Sequence, residues 1–101
     1  MRLKLLSFAV IGLIASASAA AAIDCSRAKS NVDKLICSSS RASAAENQMA
    51  WSYRAALQRG VDPQMLRRSQ HEWQEQVRDA CNDVPCLLKA FDERGGELDN
   101  Y

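Results

Sequence analysis

The stretch Leu57-Gln58-Arg59-Gly60-Val61-Asp62-Pro63 stops one helix and starts another within a few residues. Gly60 tolerates the left-handed backbone on which many helices end. Asp62 offers a side-chain oxygen to the free N–H groups of the next helix, and Pro63 takes the first helical position, where its missing N–H costs nothing. Upstream, a helix is predicted from about Ser40 to Arg59, with Ala42, Ala45, Met49, Tyr53, Ala56 and Leu57 as its inward stripe. Downstream, Leu66, Ser69, Gln70, Trp73, Val77 and Ala80 share one face of a third helix, and Arg68 and Glu72, four apart, predict an exposed ion pair. Helices joined by so short a connection pack antiparallel. No stretch alternates apolar and polar positions with β-branched residues, so strands are not expected.

The flanks of this hairpin are shorter. Ser30 caps a helix over Asn31-Val32-Asp33-Lys34-Leu35-Ile36-Cys37, with Asp33 completing a capping-box-like start. Ser38-Ser39-Ser40 breaks that helix and caps the next. After Cys81, Asn82-Asp83-Val84-Pro85 predicts a turn, and a last helix from about Pro85 to Arg94 partly buries Leu87, Leu88 and Phe91. Gly95-Gly96 is expected to end it, leaving residues 95–101 as a loose tail. The fold class that follows is all-α: a small disulfide-stapled antiparallel helical hairpin with two short flanking helices.

At the other end, Arg2 and Lys4 precede an apolar run from Leu5 to Ile14, and small residues follow as far as Ala22. A basic start, a short apolar core and a small-residue exit mark a secretory leader over residues 1–22. Its core falls well short of the roughly 20 residues that span a bilayer. Cleavage after Ala22 or Ala20 fits best, and Ala19 also lies in an A-x-A frame. Asp24 beside Cys25 spoils a lipidation box. The remaining domain, residues 23–94 before the tail, is therefore expected in the periplasm or secreted, without a membrane span.

The chain has 101 residues, 48% hydrophobic and 25% charged, which is too apolar and too balanced for a disordered polymer. Its formal charge is +1, and losing Arg2 and Lys4 turns this to −1. No basic field points to a nucleic-acid partner.

Cys25, Cys37, Cys81 and Cys86 form an even set in a short exported chain, which predicts a disulfide framework. Four cysteines allow three pairings. Locality favours Cys25–Cys37 with Cys81–Cys86, which stabilise by about 3 and about 2 kcal/mol on the chain-entropy model. A crossed pairing closes a longer loop and reaches about 4 kcal/mol on the same model, so energetics leave the choice open. The spacings do not suit zinc. His71-Glu72 resembles the start of H-E-x-x-H, but Glu75 stands at the second histidine's place. With no nucleophile–base pair or metal set, no enzyme and no cofactor is expected.

The order of these pieces resembles the LprI-type lysozyme-inhibitor domain. Cys25 followed by Val32-Asp33-Lys34-Leu35-Ile36-Cys37 is similar to the family's opening cysteine and its V-E-K-x-I-C segment. Tyr53, Gln70-His71-Glu72-Trp73, Arg78-Asp79-Ala80-Cys81, Cys86-Leu87 and Arg94 follow in the family's order, so the resemblance covers about Cys25 to Arg94. Asp33 replaces the usual Glu, and Ala42 and Ala45-Glu46 stand where larger apolar residues and L-D are typical. The resemblance implies a small exported helical module and, on the pattern of the family's namesake, binding and inhibition of lysozyme. The alternative is a helical envelope adaptor or stress-related protein with no lysozyme activity.

Candidate contact residues come from exposure and chemistry. Trp51 lies roughly opposite the inward stripe at 100° per residue, with Arg54 nearby. Trp and Arg are the types most enriched at interface hot spots. A muramidase cleft works with two carboxylates, for which Arg27 and Lys29 in the first loop, or the Ser38-Ser39-Ser40 turn, are candidate binders. The expected protein is a monomer that covers a partner's surface.

Overall fold

The computed structural model describes residues 23–101, and the leader predicted over residues 1–22 lies outside them. Four α-helices follow in order: α1 Asn31–Ser38, α2 Ser40–Gln58, α3 Pro63–Gln76 and α4 Val84–Asp99. Single 3-10 turns stand at Cys25–Arg27 and Arg78–Ala80, and the described residues contain no strand. No helix among them is long and apolar enough to cross a membrane.

Each helix begins where a side chain can satisfy its free N–H groups. The Ser30 hydroxyl accepts from Asp33 N at 3.0 Å, the Ser39 hydroxyl from Ala42 N at 3.1 Å, and Asp83 from Cys86 N at 2.9 Å. Asp62 accepts from Met65 N at 3.3 Å, with Pro63 inside the first turn. Gly60 ends α2 at φ 91°, where Gly60 N donates to Leu57 O at 3.1 Å and Val61 N to Ala56 O at 3.2 Å. That bond pair is the Schellman arrangement, and it turns the chain toward α3.

The disulfides are local: Cys25–Cys37 and Cys81–Cys86, with Cα separations of 5.7 and 5.5 Å, and no cysteine is left free. Two such crosslinks suit an oxidising location.

The all-α, disulfide-stapled fold stands, but its proportions differ from the sequence reading in three ways. First, α4 does not stop at Arg94. It runs through Gly95-Gly96 to Asp99, so residues 95–101 are no loose tail. Two helix-interior glycines cost about 0.5–1 kcal/mol each. Against that, Leu98 is completely buried, worth about 1.5–3 kcal/mol. Arg59 Nη2 also donates to Leu98 O at 2.9 Å, and Ser69 and Tyr101 share a hydroxyl–hydroxyl bond at 2.9 Å. Tertiary burial outweighs local propensity.

Second, the most extensive helix–helix approach is between α2 and α4, not α2 and α3. α3 joins through long side chains instead; Trp73 tilts against Phe91 of α4 with ring centroids 5.8 Å apart. Third, α2 serves both α1 and α4, which widens its inward face to Ala42, Glu46, Met49, Ala50, Tyr53 and Ala56. Leu57 lies outside that face and is exposed. On α3, Leu66, Gln70 and Trp73 are buried as expected. Val77 and Ala80 fall beyond its end at Gln76 and are exposed. Arg68 and Glu72 form no ion pair; His71 Nε2 lies 3.0 Å from Glu75 instead.

Candidate functional site

The outward face of α2 carries the most conspicuous surface feature. Trp51 is 68% exposed. The Arg54 guanidinium, one turn on, sits 4.6 Å from the centre of its ring. This cation–π stack at an exposed site favours the paired arrangement by about 0.5–1 kcal/mol. Ala44, Asn47 and Gln48 form a shallow depression beside Trp51. Gln48 also borders a larger groove between α2 and α4. Gly95 and Gly96 form its floor on the α4 side, flanked by Asp92 and Asp99. A Cβ at Gly95 would lie 3.8 Å from Ser52 Oγ, an ordinary contact, and one at Gly96 would meet nothing within 4 Å. Packing does not require either glycine, so their effect is to leave the groove open.

The first-loop candidates lie apart from this face. Arg27 is exposed and 3.6 Å from Asp24, the residue that caps its own 3-10 turn. Lys29 is exposed before α1. No hydrogen bond or ion pair joins either to Trp51 or Arg54. Ser39 is occupied as the cap of α2, and the Ser38 hydroxyl donates to Leu35 O at 3.1 Å. Two of the three serines in the turn are thus committed to helix ends.

Two buried charges were not foreseen. Arg94 is 2% exposed and its donors are well used. Nε donates to Gln70 Oε1 at 2.9 Å, Nη2 to the Ser69 hydroxyl at 2.9 Å and Nη1 to Glu97 Oε2 at 3.1 Å. Gln70 in turn donates to Met49 Sδ at 3.2 Å, so the network ties α2, α3 and α4 together. The signal for Arg94 was its spacing: seven after Leu87, three after Phe91 and four before Leu98.

Glu46, 4% exposed, is less well served. Its Oε1 accepts from Ile23 N at 3.1 Å, while Oε2 is buried without a partner. Burial pushes its carboxyl above the ordinary value; the Ile23 N–H and the Arg78 guanidinium pull it back, and Asp33 pushes it up. Arg78 is nearly covered. It links Asp79 at 2.9 Å and Asp33 of α1 at 3.6 Å. Glu46 follows Ala42 by four and precedes Met49 and Tyr53 by three and seven, which is the register that buries it.

Among the described residues, no three His, Cys, Asp or Glu side chains gather as a metal-binding group. No protein family, curated protein or solved structure matches this chain.

Proposed function

We propose that this protein is an exported binding module that covers part of another protein's surface, as the LprI-type lysozyme inhibitors do, without chemistry of its own. The observation that carries the reading is Trp51, 68% exposed and stacked by Arg54 on α2, a helix packed against α1 and α4, each of which carries a disulfide-bonded cysteine. Trp and Arg dominate interface hot spots, and a pre-ordered pair loses little side-chain freedom on binding. Asp92 and Asp99 beside the neighbouring groove add an acidic border suited to a basic partner. The leader-like residues 1–22 and the disulfides support a periplasmic or secreted placement.

The direct test is a bacterial-wall lysis assay with the disulfide-intact chain in molar excess over lysozyme. Slower lysis is expected, with inhibition weakened at least tenfold by Trp51→Ala. Unchanged lysis rates reject lysozyme as the partner. A different envelope protein retained by the parent chain, and lost on Trp51→Ala, would then favour the adaptor reading.

A further inference from the structure

We infer that cleavage between Ala22 and Ile23 creates the missing partner of Glu46: the new α-ammonium of Ile23 forms a buried ion pair with the Glu46 carboxylate. Ala22–Ile23 is thereby the processing site, and Glu46 is the receptor for the mature N-terminus. The inference rests on the export reading, since only a removed leader leaves this end free.

Geometry carries it. Ile23 N already lies 3.1 Å from Glu46 Oε1 as an amide, which has one proton to give. Glu46 Oε2 is buried with no partner. An unpartnered buried carboxylate oxygen is rare in folded proteins and calls for a specific explanation. Hydrolysis supplies one. Water adds across the Ala22–Ile23 amide; its oxygen stays on Ala22 as a carboxylate, and the nitrogen leaves with Ile23 and takes up protons as an ammonium. A leader-removing peptidase of the export route is the catalyst. The same nitrogen then has three donors and a positive charge, so one group can satisfy both oxygens.

The nitrogen is held in place before the cut. The Ile23 side chain packs against the core. Asp24 accepts from Ser26 N at 3.0 Å and from its hydroxyl at 2.6 Å, which fixes the turn that follows. Cys25, two residues on, is bonded to Cys37 at the end of α1. The alternative cuts fail on reach. Cleavage after Ala20 or Ala19 puts the ammonium two or three residues upstream, roughly 7–10 Å along an extended chain, and leaves Ile23 N an amide.

The test is a cycle of terminus against side chain. Three chains are compared with disulfides intact: residues 23–101 with free Ile23, the same residues with N-acetylated Ile23, and residues 22–101, which retain Ala22. Each is made with Glu46 and with Glu46→Gln. Free Ile23 is expected to melt about 5 °C or more above both blocked forms, and the gap should close in Glu46→Gln. No gap, or one that survives Glu46→Gln, overturns the inference. Should Glu46→Gln not fold, amine acylation decides with the parent side chain. The α-amine of free Ile23 should react at least tenfold more slowly than that of the Ala22-retaining chain, and equal rates overturn the pair. Mass spectrometry of protein harvested from its host separates the two layers. A chain starting at Ile23 is expected. Another start within the alanine run overturns the processing site but leaves export standing, whereas an intact leader defeats both.

Discussion

Around Arg94, three acceptors converge on one buried guanidinium from α3 and from α4 itself, and the same Gln70 that receives Arg94 passes the network to α2. Around Glu46, one backbone N–H meets a buried carboxylate and leaves its second oxygen idle. Both charges sit on inward stripes at equivalent burial, so the difference is one of supply. The Arg94 region is complete with the residues the helices bring. The Glu46 region depends on a segment whose chemistry changes when the peptide bond before Ile23 is cut. A buried charge therefore does not have one meaning within even this small a fold: one end is a finished joint, and the other is a joint waiting for its bolt.

The strongest way to break that contrast is Arg94→Ala. It strands Gln70 and opens a void, and about 3–5 kcal/mol of stability should go, a large share of the roughly 5–15 kcal/mol typical of a domain. Urea unfolding with disulfides intact measures it, and a loss under about 1 kcal/mol would mean that the network is incidental. Next come the crosslinks. Replacing both Cys25 and Cys37 with Ser should cost about 3 kcal/mol, against about 2 for Cys81 and Cys86. The first change should also abolish the Glu46-dependent gap between free and acetylated termini, because it unties Ile23; the second should leave that gap in place.

A smaller effect sharpens the Glu46 side. With Ile23 acetylated, the Glu46 carboxyl sits above its ordinary 4.5 because burial outweighs the Ile23 N–H and Arg78, with Asp33 adding to the rise. Folding then favours the protonated form. Stability relative to Glu46→Gln is present below about pH 4.5 and is lost as pH rises through the elevated value. A fall in stability over that rise is expected, read as the difference between the two chains across a pH series of denaturant unfolding. The smallest effect concerns the α4 floor. Gly96→Ala should raise stability by about 0.5–1 kcal/mol, because a Cβ there meets nothing within 4 Å.

What the sequence could convey followed the range of each interaction. Caps act within three residues, so Ser30, Asp62 with Pro63, and Gly60 were readable, and the local cysteine pairs were the favoured of three schemes. Trp51 was placed outward by angular arithmetic alone, and it is exposed. The end of α4 was misread because Gly95-Gly96 is a strong local stop, while the reasons to continue lie far away in sequence: Leu98 in the core, Arg59 on its carbonyl, Ser69 on Tyr101. Once that helix is extended, Arg94 falls into the apolar register by itself. Glu46 was hidden for a different cause. Among the described residues its hydrogen-bond donor is a backbone N–H 23 residues away, and no side-chain pattern announces a main-chain donor.

The final turn of α4 also bears on how the molecule tolerates errors. Leu98 lies near the end of α4, yet it is among the most enclosed side chains of the described residues. Removing the last turn of α4 therefore leaves a hole in the middle instead of a trimmed edge.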